Sequence, residues 1–325
     1  MHALPELIAG LLALIAGAEL VVRYGSLLAA RMGVPPMVIG LTIVSIGTSA
    51  PELAVGIDAM HVNAGSLAVG NIAGTNIVNL LLILGLSAAV RSIPFGRRTK
   101  LLDLPAMALA AVLVLVFSLD GQLQFWEGIP LLLGAILYTA ALGWWMWKQK
   151  AEMAVSDIVD DAEPEPDRPS PLSKAWWYVV LLIAGIVVIV VGADWLVQGA
   201  VAMAREFGVS DAFIGLTVVA IGTSAPELVT TIVATARGDR DIAIGNLIGS
   251  STYNLTLILG VPVLVAHGSG PIDPHLLRFD LPVMTAVALL CFPLFVVGQR
   301  LSRREGALMV IGYAAYLTYL ISTRG

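Results

Sequence analysis

Apolar positions along the chain run in long blocks, not in a surface-helix stripe or a strand alternation. Ten blocks, each near the roughly 20 residues that a helix needs to cross a bilayer, are separated by short polar breaks. They lie near 3–30, 37–61, 66–90, 101–119, 127–147, 175–202, 212–236, 242–267, 277–298 and 306–322. A soluble chain of 325 residues has too little interior to hide them all. In hydrocarbon every backbone polar group must be satisfied within the segment or by a closed barrel. Blocks of this length therefore predict an all-α polytopic membrane protein.

The break between the fifth and sixth blocks, 148–174, differs from the others. It holds Asp157, Asp160, Asp161, Glu163, Glu165 and Asp167 among Pro164, Pro166, Pro169 and Pro171. Such composition reads as a solvated tether. It divides the chain into 1–147 and 175–325, and the two parts repeat one another. GLTIVSIGTSAPEL at 40–53 returns as GLTVVAIGTSAPEL at 215–228, and GNIAGTNIVNLLLILG at 70–85 returns as GNLIGSSTYNLTLILG at 245–260. Gly17-Ala18-Glu19 returns as Gly192-Ala193-Asp194 at the same spacing. Duplicated transporters carry this signature. Five spans per half, an odd number, turn the second half upside down relative to the first.

Charge placement orients the chain. One side receives Arg31, Arg91, Arg97, Arg98, Lys100, Lys148, Lys150, Arg168, Lys174, Arg237, Arg240, Arg300, Arg303 and Arg304. The other receives Arg205, Arg278 and Arg324, while Arg23 falls within the first span. The basic side is expected to be cytoplasmic, with the tether inside and both termini outside the cell (inner) membrane. Composition sharpens the class. Hydrophobic residues reach 58% and charged residues 13%, against about 25% charged in globular chains, and mean hydropathy is +0.89. The single Cys291 and four histidines leave no disulfide framework or cysteine-based metal site. No basic stretch precedes the first apolar run, so it is expected to be a retained helix. No nucleotide motif is visible, which disfavours ATP-driven pumping. The expected partners are membrane lipid and inorganic cations, not nucleic acid or nucleotide, and no cofactor is expected.

The chemistry sits in the repeats. Glu52 and Glu227 fall inside apolar spans, where an ionisable group marks an ion or proton path by default. No Lys or Arg occurs at comparable depth in spans two, three, seven or eight. Pro51 and Pro226 precede them; each removes a helix hydrogen bond and loosens the Gly-Thr-Ser stretch before it. Thr48, Ser49, Thr223 and Ser224 add hydroxyl oxygens one turn earlier. Taken singly such hydroxyls bond their own helix. Placed beside a glutamate twice over, they point to ligation. Thr75 with Asn79, and Ser250 with Asn254, share helix faces at i, i+4. Asn71 and Asn246 are expected to pack between helices, as are Gly70, Gly74, Gly245 and Gly249. Glu19 and Asp194 are expected at the interface of the halves. The resulting donor set is all oxygen, which suits Ca²⁺ and Na⁺ better than zinc or copper.

On these residues the chain resembles the cation/calcium exchanger superfamily. GTSAPE at 47–52 and 222–227 matches its repeated motif, and GNIAGTNIVN and GNLIGSSTYN match the helices that follow. The form of the motif resembles the sodium/calcium branch, not the proton-coupled one. The resemblance implies that Glu52 and Glu227 bind Ca²⁺ with the carbonyls of Thr48 and Thr223. It implies one Na⁺ site from Thr48, Ser49, Glu52, Ser250 and the Ser45 carbonyl. A second would use Thr223, Ser224, Glu227, Thr75 and the Ala220 carbonyl, with Asn79 and Asn254 flanking the centre. Relatives often carry an aspartate at one of those two positions; here both are asparagine. The resemblance implies three Na⁺ per Ca²⁺, whereas charge counting with two carboxylates also accommodates two. Two further readings stand beside Ca²⁺-for-Na⁺ antiport: a proton-coupled exchanger on the same fold, and a cation channel.

Overall fold

The computed structural model describes residues 3–62, 64–159, 175–206, 220–298 and 300–324. Helices dominate. In chain order they are α1 (Ala3–Met32), α2 (Pro36–Thr48), α3 (Ala50–His61), α4 (Gly65–Val90), α5 (Thr99–Asp120), α6 (Phe125–Val159) and α7 (Ala175–Glu206). Then follow α8 (Ala220–Thr223), α9 (Ala225–Arg237), α10 (Asp241–Val265), α11 (Leu281–Gly298) and α12 (Arg303–Arg324). Among the described residues, seven helices are long and apolar enough to cross a membrane, and the bent pair α2–α3 makes an eighth. The ninth expected block is α11, of 18 residues. Part of the seventh, 212–219, lies outside the described residues.

Two breaks follow the sequence closely. Between α2 and α3 the axis bends by 42° at Ser49, whose ψ of 11° leaves the helical well. Between α8 and α9, Ser224 has ψ 3°. In each case a proline two residues on sits in the first turn of the next helix, where its missing N–H costs nothing. One boundary differs from expectation. Helix α6 continues through Val159, so the tether expected from 148 begins inside a helix. Gln149–Val155 consists mostly of Ala, Glu, Lys, Met and Gln, all strong helix formers, and these outweigh the polar break. Residues 160–174 lie outside the described residues.

Burial ranks the helices. The apolar window of α10 is 78% buried and that of α4 67%, against 22% for α6 and α12. The two central helices are those following the repeated glutamates. Each glutamate helix packs on the opposite half: α10 lies along α2 and α3, and α4 lies against α8 and α9. At the crossing of α2 and α10, a Cβ on Gly249 would stand 2.6 Å from the Leu41 carbonyl oxygen and overlap Ser45 Oγ. Backbones approach this closely only where a side chain is absent. Outside this centre α1 packs on α7 along its length. Two short antiparallel pairings also join the halves: β1 (Ile93–Pro94) with β4 (Arg300–Leu301), and β2 (Gln122–Gln124) with β3 (Gly268–Pro271).

Glu19 lies at the interface of the halves, as expected from the sequence. Arg237 Nε donates to its Oε2 at 2.7 Å, and the guanidinium also pairs with the other carboxylate oxygen. Asp194 accepts from Gln198 Nε2 at 2.8 Å on its own helix.

Candidate cation site

Glu52 lies in the first turn of α3 and Glu227 in the first turn of α9. Both are fully buried. Each therefore sits at the positive end of a helix dipole, which favours a carboxylate. Ser49, from the break before α3, donates its hydroxyl to Glu227 Oε1 at 3.3 Å. A hydroxyl of the first half thus meets the glutamate of the second.

Ser45 ties α2 to α10. Its Oγ donates to the carbonyl of Gly40 at 2.5 Å and reaches that of Asn246 at 3.1 Å. Its own carbonyl accepts from the Ser49 N–H at 3.1 Å and from the hydroxyls of Thr48 and Ser250 at 3.3 and 3.4 Å. Thr48 Oγ1 also stands 3.2 Å from Asn246 Oδ1. Asn246, expected only to pack, is therefore part of the cluster. Its signal was present, since it is a buried polar residue one turn before Ser250 on the site-facing helix.

The other members share one property. Both oxygens of Glu52, Glu227 Oε2, Thr75 Oγ1, Ser224 Oγ and the side-chain amides of Asn79 and Asn254 are buried without a hydrogen-bond partner. Native interiors leave few such atoms, and a charged one is the costliest. They come from both halves of the chain. Thr223 closes α8 immediately before Ser224, and Ala220 opens that helix, its side chain lying outside the described residues. Oxygen donors of this kind, two anionic and the rest neutral, match the coordination of a hard cation. Neither glutamate has a cationic partner among the described residues.

Backbone irregularity marks the same level. A π-helical turn covers Val78–Leu84 in α4 and another Asn254–Ile258 in α10, so Asn79 and Asn254 both lie in widened turns. Such turns occur frequently at functional sites. No residue type announces them. Thr230 and Thr231, one turn beyond Glu227, are likewise buried with unpartnered hydroxyls. A second pair of buried carboxylates was also unforeseen. Asp103 accepts from Tyr138 at 3.1 Å and Asp280 from Tyr316 at 2.8 Å. The signal was a repeated Asp-Leu-Pro, at 103–105 and 280–282.

The chain matches the family model described as sodium/calcium exchanger protein over residues 2–144 and 177–322. It is 37% identical to Inner membrane protein YrbG of Escherichia coli (strain K12), over 97% of this chain and 95% of that one. It is 32% identical to Sodium/calcium exchanger MaX1 of Methanosarcina acetivorans, over 97% of each. Its fold superimposes on the solved structure of the sodium-calcium exchanger NCX_Mj with a TM-score of 0.80 at 28% identity, covering 98% of both chains. A membrane protein with paired intramembrane glutamates and this likeness along its whole length belongs to the prokaryotic branch of the sodium/calcium exchanger family.

Proposed function

We propose that this chain is a secondary antiporter that exchanges Ca²⁺ for Na⁺ at the Glu52–Glu227 centre, extruding Ca²⁺ by alternating access. The observation that carries the reading is that both glutamates and Thr75, Ser224, Asn79 and Asn254 of the repeated motifs are buried with unpartnered side-chain atoms, and that no cation partners either glutamate among the described residues. Ca²⁺ neutralises the two carboxylates, and Na⁺ ions take the hydroxyl and carbonyl positions around them. The ligand set is Glu52, Glu227, Thr48, Ser49, Thr223, Ser224, Thr75, Ser250, Asn79 and Asn254, with the Ser45 and Ala220 carbonyls. Asn246 joins them through Thr48. The likeness to the sodium/calcium exchangers MaX1 and NCX_Mj favours Na⁺ as the driving ion over H⁺. The deciding experiment is labelled-Ca²⁺ uptake into proteoliposomes. Uptake that follows an outward Na⁺ gradient at fixed pH supports the reading; uptake driven by a pH gradient alone overturns it.

The architecture proposed with it is ten spans in two inverted halves, 1–147 and 175–325, joined by a cytoplasmic tether, with both termini outside. The crossed placement of α2 with α10 and α4 with α9, and the paired strands joining each half to the other, support it. A single cysteine introduced near Pro166, in a Cys291→Ser background, is expected to react with an impermeant thiol reagent only from the cytoplasmic face. One placed at Gly325 is expected to react only from outside. Labelling of the Pro166 site from outside alone overturns the orientation.

Three Na⁺ per Ca²⁺ is the proposed ratio, because the hydroxyl sets around both glutamates are present. Such exchange moves one net charge, worth about 2.3 kcal/mol per 100 mV. A valinomycin-clamped K⁺ gradient is therefore expected to change Na⁺-driven Ca²⁺ flux. Flux indifferent to potential means neutral two-for-one exchange, and Asn254→Asp is then the substitution to examine for a restored third site.

A further inference from the structure

Tyr253 stands immediately before Asn254 and is almost fully buried. It lies on α10 at the entry to the π-helical turn Asn254–Ile258, and α6 packs on that turn. Its hydroxyl meets Thr139 Oγ1 of α6 at 2.7 Å. Thr139 gives its own hydrogen to the carbonyl of Ala135 at 2.8 Å. A hydroxyl so engaged is left to accept, so Tyr253 donates. Tyr138, the residue before Thr139, sets its ring edge-on to that of Tyr253, with centroids 5.6 Å apart and planes at 63°. Tyr138 is anchored in turn on Asp103 of α5.

Among the described residues no polar group holds the neighbouring amide. Both Oδ1 and Nδ2 of Asn254 are buried without a hydrogen-bond partner. The direction of that amide therefore follows from the backbone turn that carries it. In a π-helical turn the i, i+4 ladder is interrupted; here the N–H of Leu259 reaches back to the Asn254 carbonyl. The packing beside it is loose as well. A cavity of about 290 Å³ lies at this contact, lined by Gly134 and Tyr138 of α6 and by Thr252 and Thr256 of α10 among others. Comparison of the halves shows that the hydroxyl bond is one-sided. Asn79 follows Val78 where Asn254 follows Tyr253, and Leu317 follows Tyr316 where Thr139 follows Tyr138. The Asp–Tyr pair occurs in both halves, but neither Val78 nor Leu317 has a hydroxyl to join.

We propose that Tyr253 is a positioning residue for the ion centre: its bond to Thr139 and its edge contact with Tyr138 fix the turn at Asn254, and so aim that amide at the cation. This role rests on the reading of Asn254 as a ligand. The two asparagines are then alike in type and unlike in support. Asn254 is pinned from α6 by a hydrogen bond, whereas Val78 offers the turn at Asn79 apolar packing only. Tyr253 touches no ion itself and acts through Asn254.

The test is equilibrium binding of labelled Ca²⁺ to the full chain in Na⁺-free detergent, with the ion-free unfolding midpoint read beside it. Tyr253→Phe removes only the hydroxyl and is expected to weaken Ca²⁺ binding about fivefold, the order that one neutral hydrogen bond carries. Thr139→Val, which removes the other hydroxyl, is expected to weaken it alike. Thr139→Ser, which keeps that hydroxyl, is expected to bind as the wild type does. These two variants decide the matter if Tyr253→Phe does not fold. In an Asn254→Ala background Tyr253→Phe is expected to add nothing, because no amide is left to aim. A lowered midpoint with an unchanged half-saturating Ca²⁺ concentration makes the bond merely structural and overturns the role. Wild-type affinity in Tyr253→Phe and Thr139→Val, while Asn254→Ala weakens binding, overturns the positioning role and leaves the ligand set standing. Wild-type affinity in Asn254→Ala overturns Asn254 as a ligand, and the positioning role with it. A full Tyr253→Phe effect in the Asn254→Ala background places its action elsewhere and overturns the route through Asn254.

Discussion

Glu52→Gln and Glu227→Gln are each expected to reduce Ca²⁺ exchange at least about a hundredfold while leaving the protein folded. With one carboxylate gone, a bound Ca²⁺ keeps a net charge at membrane depth, which costs about 3 kcal/mol or more; about 1.4 kcal/mol is a tenfold change in affinity. Stability is expected to move the other way. In ion-free detergent the wild-type chain holds two buried carboxyl groups with oxygens that lack a hydrogen-bond partner, and neutralising one relieves the cost of burying it. The unfolding midpoint without ions should therefore be maintained or raised, while the increase that Ca²⁺ brings by mass action disappears. The paired readout separates loss of the site from loss of the fold. Wild-type exchange by either variant, or Ca²⁺ stabilisation retained in both, excludes the glutamates as ligands.

Gly249→Val is expected to be the most damaging single change away from the carboxylates. Any Cβ at this position meets the Leu41 carbonyl oxygen at 2.6 Å and its Cα at 2.8 Å, as well as Ser45 Oγ. These are mostly backbone atoms that cannot rotate away, so α2 must move off α10. Overpacking of this kind costs about 1–3 kcal/mol, and the displacement also carries Ser49 away from Glu227. A lowered midpoint together with loss of transport is the expected result. Gly312→Ala serves as the control. The nearest atom to a new Cβ there is Leu81 Cδ1 at 4.0 Å, and alanine is the better helix former by about 1 kcal/mol, so the midpoint should hold or rise. If Gly249→Val matches the wild type in both midpoint and transport, the helix crossing is not as tight as the geometry places it.

What was legible in the sequence was what local pattern encodes. Block length reports helices in lipid because the bilayer fixes the length and forbids unsatisfied backbone. The seventh and ninth blocks were as visible as the rest, even though residues 212–219 are not described. The glutamates stood out because a charge inside an apolar block needs a reason, and the breaks at Ser49 and Ser224 because proline removes a particular hydrogen bond. The helix that runs past the tether's expected start at 148 has a local reason too: charge and proline lie mainly beyond Val159, and the residues before it are good helix formers.

Only the tertiary structure decided which oxygens meet. Ser49 bonds Glu227 across 178 residues of chain and Ser45 meets Asn246 across 201; no periodicity carries such pairings, which depend on how two broken helices cross. The π-helical turns at Asn79 and Asn254 insert a local change of register that packing imposes and composition does not mark. The bond from Tyr253 to Thr139 likewise exists because α10 and α6 meet there. The chain alone names the groups expensive enough to need a purpose; their packing determines which partner each one has.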